Sequence, residues 1–128
     1  MIHEIDHVSI DVSELGKSVD FYCNKLGFRV SRTIDTPELG ITFIQLGSSS
    51  IELIARRDRH AATRTMRRTG DIGLAHVALR VSDIDEVFSQ LRERGIEFSS
   101  PPYDAEGGPR IAFFRDPDGV VLELIQWR

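Results

Sequence analysis

The sequence predicts an α+β fold: two tandem βαβββ modules forming a cupped mixed sheet with helices on its outer face. Three observations carry that prediction. The chain opens with Ile5-Asp6-His7-Val8-Ser9-Ile10-Asp11-Val12-Ser13, and a similar stretch, Leu74-Ala75-His76-Val77-Ala78-Leu79-Arg80-Val81-Ser82, opens its second half. The halves also close alike, with Ile51-Glu52-Leu53-Ile54 and Leu122-Glu123-Leu124-Ile125. Each half places a histidine and a glutamate at matching positions: His7 and Glu52 are 45 residues apart (52 − 7), His76 and Glu123 are 47 apart (123 − 76).

The elements follow in order. Side chains alternate faces along a strand, so Val8, Ile10 and Val12 oppose His7, Ser9 and Asp11. Ser13 is the expected N-cap of a helix carrying Leu15, Val19, Tyr22 and Leu26 at helical spacing, and Gly27 ends it. Residues 28–34 read as a strand. Pro37-Glu38-Leu39-Gly40 turns the chain into a strand over residues 41–46, and Gly47-Ser48-Ser49-Ser50 turns it into the Glu52 strand. In the second half Val77, Leu79 and Val81 oppose His76, Ala78 and Arg80. Ser82 is the expected cap of a helix carrying Ile84, Val87, Phe88 and Leu91, which Gly95 ends. A short strand over 96–98, a Pro/Gly-rich loop over 101–109 and a strand over 110–114 come next. Asp116-Pro117-Asp118-Gly119 is a hairpin turn into the Glu123 strand.

The modules are expected at about 1–56 and about 72–128, joined by a linker at about 57–71. Six arginines crowd this junction: Arg56, Arg57, Arg59, Arg64, Arg67 and Arg68. A helical turn is expected over 63–68. A solvated linker is the simpler reading, and an arginine-rich rim for a carboxylate or phosphate the sharper one.

A length of 128 residues with 41% hydrophobic content fits one compact domain. The net charge of −4 argues against wholesale nucleic-acid binding. No apolar run approaches the ~20 residues of a membrane span. The start, Met1-Ile2-His3-Glu4, lacks the basic and apolar regions of a signal peptide. Cys23 is the single cysteine and shares a helix face with Val19 and Leu26, which suits a buried reduced thiol. Together these features lead to the expectation of a cytoplasmic protein acting on a small molecule, without nucleic-acid or membrane partners.

A carboxylate flanked by Ile and Leu is costly when buried and unpaired, and a divalent cation removes that cost. Two imidazoles and two carboxylates suit a borderline cation (Ni²⁺, Co²⁺, Zn²⁺ or Fe²⁺) better than Ca²⁺ or Mg²⁺. His7, Glu52, His76 and Glu123 are therefore the candidate ligands of one divalent transition metal. By strand alternation Ser9, Asp11 and Arg80 share their face and are candidate substrate contacts. Asp11 and Arg80 occupy equivalent places, so an ion pair between them or a place at the rim is the alternative. Phe43, Phe113, Phe114 and Trp127 are candidates for core or pocket wall, with core the expectation for most of them.

The paired βαβββ order, the Asp6-His7-Val8 opening, Phe21-Tyr22, Leu26-Gly27-Phe28 and Asp116-Pro117-Asp118-Gly119 before Glu123 resemble the vicinal oxygen chelate superfamily. Its members include lactoylglutathione lyases, methylmalonyl-CoA epimerases, extradiol dioxygenases and bleomycin-binding resistance proteins. The likeness covers nearly the whole chain. His7, Glu52, His76 and Glu123 match the His-Glu-His-Glu set of the lyases, whereas epimerases often carry Gln at the Glu52 position. Extradiol dioxygenases use two His and one carboxylate, and drug-binding members commonly lack ligands. Bacterial lyases tend to have Arg where this chain has Asp11, and Asn with an aromatic where it has Ile54-Ala55-Arg56-Arg57. Those departures speak against glutathione as cosubstrate.

The resemblance implies proton transfer next to a chelated carbonyl, with Glu123 as the base and Glu52 as the partner that returns the proton. It also implies a homodimer, and members of the superfamily bring the two His–Glu pairs together either within one chain or across the dimer. The alternatives are a non-catalytic protein that sequesters a drug or natural product, and Fe²⁺-dependent oxygenase chemistry.

Overall fold

The structure, a computed structural model, describes residues 1–57 and 68–128. It divides into two compact units, Met1–Thr63 and Arg64–Arg128. The first contains β1 (Val8–Asp11), α1 (Leu15–Val19), a π-helical turn (Asp20–Lys25), β2 (Arg29–Asp35), β3 (Leu39–Leu46) and β4 (Ser49–Arg56). The second contains β5 (Val77–Arg80), α2 (Ile84–Glu93), β6 (Tyr103–Asp104), β7 (Arg110–Arg115) and β8 (Val121–Gln126). Each unit is one βαβββ module with its own four-stranded mixed sheet, ordered β1-β4-β3-β2 and β5-β8-β7-β6. The α+β class and the duplication are as the sequence predicts. Among the described residues no helix is long and apolar enough to cross a membrane.

In both sheets the first strand lies parallel to the last, and the remaining pairs are antiparallel. A parallel neighbour requires a long crossover, and the helix and two intervening strands supply it. Burial selects this pairing. Ile10 stands opposite Leu53 in the β1–β4 ladder, and both are buried. Leu79 stands opposite Leu124 in the β5–β8 ladder. Each helix covers the apolar face of its own sheet, α1 on β3 and β4 and α2 on β7 and β8. Gly40 permits the close approach of α1, since a Cβ there would meet Leu15 Cδ2 at 3.3 Å. Tyr22 fills the first core edge-on to Phe21 and Phe28. Phe98 joins Phe88 to Phe114 in the second. Burying a side chain such as Ile44, Leu53 or Leu122 stabilises the fold by about 1.5–3 kcal/mol.

Several local expectations are corrected. The first helix begins one residue later than expected, with Glu14 rather than Ser13 in the N-cap position. The second is capped by Asp83 rather than Ser82, because the Asp83 carboxylate accepts the Glu86 N–H at 3.1 Å. The first helix widens at Asp20–Lys25, where the Leu26 N–H bonds to the Phe21 carbonyl five residues back. Both adjacent rings, Phe21 and Tyr22, enter the core in that wider turn.

The strand expected over 96–98 is only a bridge between Phe98 and Phe114. The Ile96 N–H instead closes the end of α2 on the Leu91 carbonyl. The edge strand β6 forms within the expected loop. Pro101 and Pro102 bring no N–H to a ladder, which keeps it short. Of the helical turn expected over 63–68, all but Arg68 lies outside the described residues, as do Arg59, Arg64 and Arg67.

Candidate functional site

Each unit brings an imidazole to a glutamate through the same ladder position. In the first, His7 immediately precedes β1, and Ser9 stands opposite Glu52 in the parallel β1–β4 pair. In the second, His76 immediately precedes β5, and Ala78 stands opposite Glu123 in the β5–β8 pair. Alternation keeps Val8, Ile10, Ile51 and Leu53 towards the helix, so the His–Glu face is the other one.

His7 Nε2 lies 3.8 Å from Glu52 Oε1, and His76 Nε2 lies 2.7 Å from Glu123 Oε2. The Glu52 and Glu123 side chains are 14% and 8% exposed, so both are largely withdrawn from water. Ser9 Oγ donates to Glu52 Oε1 at 2.6 Å. Behind His7, Asp6 Oδ2 is 2.7 Å from Nδ1. A phenylalanine meets each imidazole edge-on: Phe43 has its centroid 5.3 Å from that of His7, and Phe113 lies 5.7 Å from His76. Both rings come from the strand flanking the glutamate, where Phe43 stands opposite Glu52 and Phe113 opposite Glu123.

The donor chemistry of each pair fits a divalent transition metal. Bonds of about 2.1 Å to an imidazole nitrogen and a carboxylate oxygen at right angles need the two atoms about 3 Å apart. The observed separations of 2.7 and 3.8 Å bracket that span. Each unit thus presents one imidazole nitrogen facing one carboxylate oxygen. Among the described residues no three His, Cys, Asp or Glu side chains form a group that could hold a metal ion.

The expected substrate contacts are distributed unevenly. Ser9 is committed to Glu52. Asp11 is paired with Arg56 at the end of β4, with Nε 2.7 Å from Oδ1. Arg80 is exposed at the end of β5. Arg57 is fixed on the β2–β3 turn, where it meets the Asp35 carboxylate and the Thr36 carbonyl. It is therefore a clamp on its own unit.

Phe114 is buried in the core as expected, but Phe43 and Phe113 are half-buried against the histidines, and Trp127 is 56% exposed. Sequence reasoning offered a pocket wall as the alternative for the two phenylalanines but did not foresee their contact with the histidines. Counting back across each hairpin from Glu52 and Glu123 reaches them, once the turn lengths are known. Asp6 and Arg56 were also missed, the first as a partner of His7 and the second as a partner of Asp11.

Known proteins share this arrangement of modules. Residues 4–124 match the model of the Glyoxalase/Bleomycin resistance protein/Dioxygenase superfamily. The chain is 33% identical over 123 residues to a protein named "Probable lactoylglutathione lyase" from Synechocystis sp., covering 94% of this chain and 92% of that one. It is 30% identical over 128 residues to the human mitochondrial methylmalonyl-CoA epimerase, covering 95% of this chain and 73% of that one. A solved glyoxalase family protein from Enterococcus faecalis has a TM-score of 0.80 at 35% identity, over 95% of this chain and 96% of that one. Two βαβββ modules with matching strand order, together with a family match spanning nearly the whole sequence, place this chain in the glyoxalase/bleomycin resistance/dioxygenase, or vicinal oxygen chelate, superfamily.

Proposed function

We propose that this chain is a metal-dependent lyase or isomerase that moves a proton on the carbon next to a carbonyl. The observation that carries this reading is the repeated pair: an imidazole Nε2 facing a glutamate oxygen at the same ladder position of both sheets. Similarity to lyase and epimerase relatives supports the reaction class. His7, Glu52, His76 and Glu123 act as one donor set for one Ni²⁺, Co²⁺, Zn²⁺ or Fe²⁺.

Held there, the cation supplies Lewis acidity to the carbonyl oxygen and so acidifies the neighbouring C–H. Glu123 would take that proton on its carboxylate, and Glu52, carrying a proton acquired from solvent, would return one on the other face, leaving Glu123 protonated and Glu52 ionised. Phe43 and Phe113 pack edge-on against the imidazoles and so restrict the planes of His7 and His76. Ser9, Asp11 and Arg80 belong to the polar side of the substrate site. The reading includes a cytoplasmic homodimer, and sedimentation checks the assembly.

The decisive experiment follows deuterium from solvent into the substrate alpha position. It uses metal-loaded protein with a methylglyoxal–thiol adduct or a 2-methyl-branched acyl-CoA. Glu123→Gln keeps an oxygen donor but no base, and is expected to slow exchange by about 10²–10⁴-fold while metal affinity changes far less. Metal-loaded protein that exchanges neither substrate would instead favour sequestration of a bound small molecule.

A further inference from the structure

We propose that Arg80 and Trp127 form a ligand-binding corner at one end of the second sheet, where the guanidinium takes an oxyanion and the indole takes the flat apolar body that carries it. The ligand class is a planar molecule bearing a carboxylate or phosphate. Naming that ligand as the substrate rests on the proton-transfer reading above; the corner itself does not.

The two units repeat each other place by place, so a place that differs is informative. In the first, Asp11 stands four residues after His7, and Arg56 four after Glu52 (11 − 7 and 56 − 52). These two join in an ion pair, with Arg56 Nε 2.7 Å from Asp11 Oδ1. In the second, the same two places hold Arg80 and Trp127 (80 − 76 and 127 − 123). Arg80 is exposed, and the described residues give it no ion pair, hydrogen bond or ring contact. Where the first unit has a guanidinium matched by a carboxylate, the second has a guanidinium and an indole.

The row that Arg80 belongs to is otherwise apolar. Arg80 stands opposite Ile125 on β8, Ile125 opposite Ile111 on β7, and Ile111 opposite Tyr103 on β6. Trp127 directly follows β8 at the same end of the sheet, because β5 and β8 run parallel. Its side chain is 56% exposed, and that of Tyr103 is 45% exposed. Large aromatic side chains left in water mark binding surfaces, and Trp, Tyr and Arg are the residues that dominate binding energy there. A guanidinium holds a carboxylate or phosphate through two parallel N–H bonds, and an indole offers a flat apolar face to the rest of the ligand. Arg80 lies one row beyond Ala78, the residue opposite Glu123, which is about 7 Å along the strand. An oxyanion held at Arg80 therefore stands clear of the Glu123 carboxylate, which would repel it.

Trp127 is the only tryptophan of the chain, so its fluorescence reports on this corner. The test titrates the full chain, without added metal, with benzoate, phenyl phosphate, benzamide and acetate. Benzoate or phenyl phosphate should quench the indole in a saturable way and bind about 10–100-fold more tightly than neutral benzamide. The tighter of the two identifies the oxyanion as carboxylate or phosphate, and acetate, which has no ring, should not quench. Arg80→Gln should abolish the preference for the anion, and Arg92→Gln, the same charge change on α2, should keep it. Trp127→Leu, followed by saturation-transfer NMR of the ligand protons, should weaken benzoate and benzamide alike. Circular dichroism confirms that each variant is folded. Equal affinity for benzoate, phenyl phosphate and benzamide, or equal losses from Arg80→Gln and Arg92→Gln, overturns the role of Arg80. Undiminished binding by Trp127→Leu overturns that of Trp127, and no saturable binding of any probe overturns the corner. The titration contains no metal, so its failure is separate from failure of the metal-dependent reading. An anion bound at Arg80 by a chain that exchanges no deuterium when loaded with metal keeps the corner and removes its ligand from the role of substrate.

Discussion

Asp11 and Arg56 bring opposite charges together at one end of the His–Glu face, where similarity to bacterial lyases would place an arginine on β1. The cation is present but is supplied by β4 and already engaged. An exposed pair of this kind contributes only about 0.2–1 kcal/mol to stability. Its effect on an anionic substrate is therefore the more informative quantity. Wild-type protein is expected to turn over the glutathione–methylglyoxal adduct weakly, and Asp11→Ala should lower the saturation constant by freeing Arg56. Steady-state kinetics check both statements, and robust wild-type turnover would show that Asp11 does not obstruct this substrate. Cys23 is half-buried, and burial pushes its thiol pKa up. It should react with a disulfide reagent at neutral pH more slowly than free cysteine does. A faster reaction would argue against a passive thiol.

Arg110 ties three elements of the second unit together. From β7 it reaches Asp85 on α2 at 2.9 and 3.1 Å, and Asp104 on β6 at 3.2 Å. Arg128 joins the same Asp104 carboxylate. The hydrogen bond from Arg110 is the main cause that lowers the Asp85 pKa, and the Asp85 carboxylate in turn raises that of Arg110. A carboxyl whose folded pKa is depressed contributes stability above its unfolded value of about 3.9, and loses it as pH falls through the folded value. The raised guanidinium pKa contributes below its unfolded value and is lost only in strong alkali. Arg110→Ala should therefore lower the thermal midpoint at neutral pH, and the gap to wild type should narrow in acid below the carboxylate range. A gap that does not narrow would mean that packing of the arginine stem, and not its charge, supports β6. In the first sheet Leu53 is fully buried, and Leu53→Ala should cost about 2–5 kcal/mol in denaturant unfolding.

For the molecule as a whole, the proposed donor set implies one transition metal for every two His–Glu pairs. Elemental analysis of purified protein should find that ratio, and the double variant His7→Ala with His76→Ala should carry no metal. Full occupancy in that variant would remove these histidines from the metal site. Two sheets built alike make the comparison fair, because each substitution has its counterpart in the other unit at the same ladder position.

Alternation along a strand depends only on local backbone geometry. For that reason the sequence alone was enough to assign His7, Ser9, Asp11 and Glu52 to the face opposite Val8, Ile10, Ile51 and Leu53. The internal repeat likewise announced two βαβββ modules. Strand pairing depends on which distant segments bury one another, and a sequence pattern is silent on register. Only the tertiary structure put Ser9 opposite Glu52, and Phe43 and Phe113 opposite the two glutamates. Competition between neighbouring groups decided the finer points. Asp83 took the cap from Ser82 by accepting an N–H, and Ile96 closed α2 instead of starting a strand. Alternation and repeat therefore determined the face on which the histidines and glutamates stand. Long-range pairing decided which side chains touch there, because hydrogen bonds and ring contacts form only between residues that the folded ladder brings within a few ångströms.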